Sequence, residues 1–365
     1  MMKPWLKLTL YGLAALFLMG CALEQLYLEA YLAANQTALE TPAGSDETPI
    51  TFTVQTGQSV AEISGNLRAR RLISDTELFR RYVQYRQLDA GIQAGTYTLR
   101  QTMTISEIAR ALQSAQAPEQ QVTIPEGRRL EQVAALVSQQ TNLSAEEFLL
   151  MAQTDWRDTP LMVRYEFLAQ IPLTQTLEGF LFPDTYRLTM NATAYDLIER
   201  MLANFAQQVT PEMRQSFEQQ GVSLYEGLII ASIVEREAVV ASERPLMAGV
   251  YYNRLHAGWT LSADPTVQYA LGYNAETQSW WKQGLTFADL EFDSPYNTYR
   301  YAGLPPGPIA SPGFEAIHAA AQPTTTDFFF FMVDCTKEDG SHIFALTGEE
   351  HMENFRRCQN MPAPP

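Results

Sequence analysis

The run Leu228-Ile229-Ile230-Ala231-Ser232-Ile233-Val234-Glu235-Arg236-Glu237-Ala238-Val239-Val240 constrains this chain more than any other. Wound as a helix at about 100° per residue, it puts Ile229, Ile230, Ile233, Val234 and Val240 on one apolar face, with Glu237 in the middle of that face. Glu235 falls on the opposite, polar side and reads as a solvated surface charge. A stable fold tolerates a carboxylate at a core position only if the group is paired, protonated or needed. Desolvation raises a carboxyl pKa, and a general acid must keep its proton near neutral pH, so Glu237 is a candidate acid. The alternative is a buried structural glutamate paired with an arginine, Arg244 or Arg254.

The chain has 365 residues, 46% of them hydrophobic, enough to bury a substantial core and to divide into two or three compact units. With 25 Lys plus Arg against 41 Asp plus Glu, its net charge of -16 repels nucleic-acid phosphates, so no nucleic-acid partner is expected. Lys3 and Lys7 precede an apolar stretch from Leu8 to Leu23. Residues 1–30 therefore read as a membrane anchor with a cytoplasmic N-terminus, placing the rest of the chain outside the cytoplasm at the cell membrane. Leu18-Met19-Gly20-Cys21 has the look of a lipobox, and lipidation at Cys21 is the alternative anchor. Cys335 and Cys358, the other two cysteines, would lie where disulfides persist. Their pairing is expected to contribute about 3 kcal/mol through loop closure; two free thiols are the alternative.

Residues 31–49 are polar, with no apolar period, and read as a linker. From 50 to 116 the pattern is strand, two helices, strand and helix: Ile50 to Val54 alternates, Ser59 to Arg70 is amphipathic, Ser74 with Glu77 and Thr104 with Glu107 have capping-box spacing, and Gly95 to Leu99 returns to strand character. Residues 117–220 read as a mostly helical connecting region, with a strand at Gln121 to Ile124, helices at Arg129 to Ser138 and after Ser144, and an interruption at Leu177-Glu178-Gly179-Phe180-Leu181-Phe182-Pro183-Asp184-Thr185-Tyr186. Residues 221–365 would be the catalytic domain: a helix near 224–241, a Pro- and Gly-rich stretch at 294–313, strands at Phe328 to Val333 and His342 to Leu346, and a last helix capped by Thr347. The fold class expected is α+β throughout.

Several blocks carry a family resemblance: Ala231 to Glu237, Ala241-Ser242-Glu243-Arg244, Asn253-Arg254-Leu255, Asp264-Pro265-Thr266-Val267-Gln268-Tyr269, Ser294-Pro295-Tyr296-Asn297-Thr298-Tyr299, Gly303 to Gly313, and Leu177 to Tyr186. In this order, across roughly residues 50–350, they resemble the membrane-anchored endolytic murein transglycosylases. The resemblance implies that residues 50–116 form a LysM-like module, that the second glutamate of Glu235-Arg236-Glu237 is catalytic, and that the substrate is a peptidoglycan glycan strand. It further implies cleavage between N-acetylmuramic acid and N-acetylglucosamine without water, leaving a 1,6-anhydro end, and work beside peptidoglycan synthases. One carboxyl serves both steps, first protonating the leaving oxygen and then accepting the proton of the sugar's 6-hydroxyl.

Hydrolytic glycosidases need two carboxylates. Asp264 or Glu178 could be a second member beside Glu237, although binding sugar or holding the cleft suits them better. Gln268, Asn297, Tyr299 and Ser311 are candidate hydrogen-bonding residues for substrate, and Tyr269, Trp280, Trp281 and Tyr296 could stack on sugar rings or pack in the core. His256, His318, His342 and His351 form no close pair of ligand spacing, so neither a metal nor a cofactor is expected. A non-catalytic peptidoglycan-binding or division-complex scaffold is the competing reading.

Overall fold

The computed structural model describes residues 23–114 and 119–360. Most of the expected anchor, including Cys21, lies outside the described residues. Among those described, no helix is long and apolar enough to cross a membrane. The chain divides into two compact units, the first ending at Glu119 and the second beginning at Gln120.

In the first unit, β1 (Ile50–Val54) pairs antiparallel with β2 (Gly95–Leu99), with Phe52 opposite Tyr97. Alternation sends Phe52, Val54, Tyr97 and Leu99 inward against helices Val60–Ala69, Thr76–Tyr85 and Ile105–Ala111. Ser59 and Thr104 cap their helices through complete capping boxes. The second helix differs from expectation: Asp75, not Ser74, is its cap, its carboxylate accepting from the amides of Glu77 and Leu78. A carboxylate there also meets the positive end of the helix dipole.

The stretch 31–49 is not a free tether. Residues 23–34 and Gln36–Glu40 are helical, Leu32 and Leu39 pack onto the core of the first unit, and the Gly44 amide donates to the Gln101 carbonyl at 3.1 Å. The widely spaced apolar residues of this polar stretch dock against a neighbour, which no local periodicity reveals.

The second unit has one core, running in sequence from Val122 to Ala321, to which residues 120–220 contribute as fully as those that follow. Strand β3 (Glu119–Thr123) pairs with β4 (Thr185–Thr189), a strand that begins with the last two residues of the Leu177–Tyr186 block and that its turn-rich sequence conceals. Phe180 of that block is buried between Phe167 and Phe205. Gly179 (φ +84°) sits so close to Pro308 that a Cβ would lie 2.6 Å from it. The block is thus a packing element joining the two halves of the unit.

The helix Leu224–Glu237 is the centre of this core and packs against Arg244–His256, Asp264–Leu271 and Phe314–Ala321. Ser223 and Glu226 form its capping box, and Gly227 allows Phe217 to lie directly on its backbone. The helix is shorter than its apolar stripe suggests. Ala238 turns extended (φ -76°, ψ 111°), leaving Val239 exposed and Glu237 as the last helical residue. Last come β5 (Phe330–Val333) and β6 (His342–Ala345), paired antiparallel, and the helix Gly348–Gln359, joined to the β5–β6 loop by the Cys335–Cys358 disulfide.

Candidate active site

A cleft of about 400 Å³ opens where these elements converge, lined by Glu237, Arg254, Ser262, Asp264 and Tyr299 together with Phe331, Met332, Val333, His342, His351 and Phe355. Its volume falls within the usual range of small-molecule sites. Glu237 reaches it because the helix stops there. The Tyr251 hydroxyl donates to Oε1 of Glu237 at 3.0 Å, and the other carboxylate oxygen makes no hydrogen bond to the described protein.

Burial pushes the Glu237 carboxyl up to about 7. The Tyr251 hydrogen bond opposes this, the neighbouring Asp264 carboxylate reinforces it, and Arg254 and Arg236 oppose it from further away. The C-terminal end of a helix, where the dipole is negative, also disfavours an anion. Among the described residues, no arginine forms an ion pair with Glu237. Arg254, one turn beyond Tyr251 on the same helix, gives its guanidinium to the carbonyls of Phe329 and Leu261. Arg236 lies over the Trp281 ring at 4.0 Å.

Asp264 stands at the start of its helix and accepts the Tyr299 hydroxyl at 2.6 Å. Burial and this carboxylate raise the Tyr299 phenol far above its ordinary range, so it remains a donor. Tyr299 is positioned by Asn297, whose Nδ2 donates to the carbonyls of Leu290 and Phe292 at 2.8 Å each and whose Oδ1 accepts the Tyr299 amide at 3.0 Å. Asn297, fully buried, therefore spends its hydrogen bonds on its own loop.

The cleft gathers Glu237, Asp264 and Tyr299; Glu178, Gln268, Asn297 and Ser311 do not line it. Glu178 is buried under the start of helix Leu130–Gln140, with Oε2 accepting the Leu130 amide at 2.9 Å, and burial pushes its carboxyl up to about 8. Gln268 donates to the Lys282 carbonyl, while Ser311 is sealed from solvent and joins its backbone to Arg128. Of the aromatic candidates, Tyr269 packs on Tyr296, Trp280 and Tyr269 flank the Arg129 guanidinium, and Trp281 donates to Gln132.

Glu235 corrects the expectation of a solvated charge. It is half-buried and accepts the Gly313 amide at 3.2 Å, and burial raises its carboxyl above the ordinary range. Its side of the helix is covered by the Pro- and Gly-rich stretch, which Ser232 also holds by accepting the Ile309 amide. The wall formed by Phe331, His342, His351 and Phe355 carries no sequence signal, because β5, β6 and the last helix meet Glu237 only through tertiary packing.

Residues 52–357 match the YceG-like family. Two similar proteins carry the name endolytic murein transglycosylase. The one from Bacillus subtilis is 32% identical over 87% of this chain and 87% of its own length. The one from Streptococcus pneumoniae serotype 2 is 31% identical over 85% of this chain and 58% of its own length. A crystal structure of a YceG-like protein from Listeria monocytogenes superposes with a TM-score of 0.55, at 32% identity, covering 85% of this chain and 99% of that one. With the match spanning most of the chain and Glu237 at the cleft, the chain belongs to the YceG-like family.

Proposed function

We propose that this protein is an endolytic lytic transglycosylase that cuts peptidoglycan glycan strands at the bond between N-acetylmuramic acid and N-acetylglucosamine. The observation that carries the reading is a single carboxyl, Glu237, held by Tyr251 at the wall of a cleft and pushed to about 7. A carboxyl so placed is available near neutral pH in both forms the reaction needs. Protonated, it donates to the glycosidic oxygen and the N-acetylglucosamine side leaves as an alcohol. As the carboxylate it then takes the proton of the 6-hydroxyl while that oxygen bonds to the anomeric carbon. One proton enters and one returns, so water is not consumed and the new end is 1,6-anhydro.

Asp264 would face the positive charge that develops at the anomeric carbon, and the Tyr299 hydroxyl holds it in place. Such a reaction takes place on cell-wall glycan outside the cytoplasm. An anchor within residues 1–30 would keep the enzyme at the membrane, next to the synthases that extrude new strands. The strand–helix–helix–strand order of residues 50–99 supports a LysM-like, glycan-binding role for the first unit.

Incubating the purified chain with murein sacculi tests the reading. Mass spectrometry should find 1,6-anhydro ends with the wild type and none with Glu237→Gln. Equal yields from the two would remove Glu237 from the mechanism and make the scaffold reading the better one.

A further inference from the structure

The wall of the cleft also holds an oriented imidazole that the single-carboxyl chemistry does not use. His342 opens β6 and borders the same cleft as Glu237, with its side chain only 5% exposed. Glu243, from the turn that follows the Glu237 helix, grips it twice. One carboxylate oxygen accepts the His342 amide at 3.1 Å and the other meets Nδ1 at 2.8 Å. Because a carboxylate can only accept, this contact assigns the ring proton to Nδ1 and leaves Nε2 with a lone pair in the neutral ring. The ring plane is held edge-on to Phe331 (5.7 Å, 84°), Phe331 is in turn edge-on to Tyr251 (5.7 Å, 89°), and Tyr251 holds Glu237.

Nε2 makes no hydrogen bond to any described residue. A histidine whose role was only to tie β6 to the 238–243 turn would need Nδ1 alone. Here the ring is also clamped by carboxylate and aromatic contacts and set into a cleft wall, as an imidazole is when its second nitrogen serves a ligand. Proton transfer in the proposed reaction balances on Glu237, so no second acid or base is required, and the vacant acceptor suits a donor on the sugar.

We infer that His342 is a substrate-positioning residue: fixed by Glu243, it accepts a hydrogen bond at Nε2 from a sugar hydroxyl or acetamido N–H, setting the glycan's register against Glu237. The inference rests on the glycan reading above, and its test is built to fail separately from that reading.

The probe is a tetrasaccharide of alternating N-acetylglucosamine and N-acetylmuramic acid, bound to the full chain carrying Glu237→Gln so that affinity is read without turnover. His342→Asn keeps an amide where Nδ1 stands and removes Nε2, whereas His342→Gln extends an amide toward the Nε2 position. Adding His342→Asn should weaken Kd about tenfold, the scale of one net hydrogen bond. His342→Gln should recover part of that loss. Placed alone in the otherwise wild-type chain, His342→Asn should raise KM by a similar factor while kcat stays within about threefold and Tm is unchanged. A Kd for the Asn variant equal to that of its parent, or a Gln variant that binds worse than Asn, overturns the inference and leaves His342 as a structural tie. Whether the wild type makes anhydro ends is read independently, so tight, His342-dependent binding by a chain without turnover would overturn the catalytic reading and preserve this one.

Discussion

Replacing Glu237 by Gln should abolish activity and also stabilise the protein, by an amount that depends on pH. In the unfolded chain this carboxyl titrates at its ordinary value of 4.5, and in the fold it is pushed to about 7. Below pH 4.5 both states hold the proton and the group contributes no pH-dependent difference. Between these values the folded state keeps a proton that the unfolded state has released, so wild-type stability declines as pH rises. Above about 7 the full penalty is present. A shift of about 2.5 units at about 1.36 kcal/mol per unit sets a ceiling near 3.4 kcal/mol. Water in the cleft reduces that to about 1–3 kcal/mol, or about 2–10 °C in Tm for a unit of this size. Gln retains an acceptor for Tyr251 and removes the buried charge. Thermal unfolding of both proteins from pH 4 to 8.5 should show the Tm difference growing in favour of Glu237→Gln and levelling off above about 7. Glu178, also raised, is common to both proteins and cancels in the difference. A difference that is constant with pH, or a wild type that gains on the variant as pH rises, would refute the argument that desolvation sets the state of Glu237.

Tyr251→Phe removes the one hydrogen bond that opposes the raised Glu237 pKa; the alkaline limb of kcat/KM should move to higher pH and kcat should fall, as a pH–rate profile would show. Gly179→Ala places a Cβ 2.6 Å from Pro308 at a φ of +84° and should cost at least about 2 kcal/mol in urea unfolding while leaving Glu237 untouched. Cys335→Ser with Cys358→Ser opens a loop of 23 residues' separation, at about 3 kcal/mol in the chain-entropy account. Because the released helix carries His351 and Phe355 into the cleft and has no fully buried residue of its own, activity should fall at temperatures below the global unfolding transition.

The sequence was most legible where structure is local. Ser59 with Glu62 and Thr104 with Glu107 announce their helices through caps that need only three residues of context, and Phe52 and Val54 show by alternation which side of β1 is inward. Glu237 was visible because it breaks an otherwise apolar stripe. The end of its helix was not, since Ala238, Val239 and Val240 continue the stripe without glycine or proline, yet the backbone turns extended at Ala238. Glu178, Asn297 and Ser311 are polar residues in motif-rich loops, where sequence alone cannot separate sugar contacts from bonds the loop makes to itself; here Glu178 holds a helix start and Asn297 holds Tyr299. Tyr251 reaches the Glu237 carboxylate from 14 residues on, and His342 reaches its cleft from 105 residues on, only through the tertiary fold.

In the proposed reaction Glu237 directs the sugar's own 6-hydroxyl, and not water, to the anomeric carbon. Digesting sacculi with the wild-type protein in ¹⁸O-labelled water and weighing the new muramic ends decides it. Ends that are lighter than the reducing sugar by one water and carry no label are the predicted result. Reducing ends bearing one ¹⁸O would contradict it and make Glu237 and Asp264 the pair of a hydrolase.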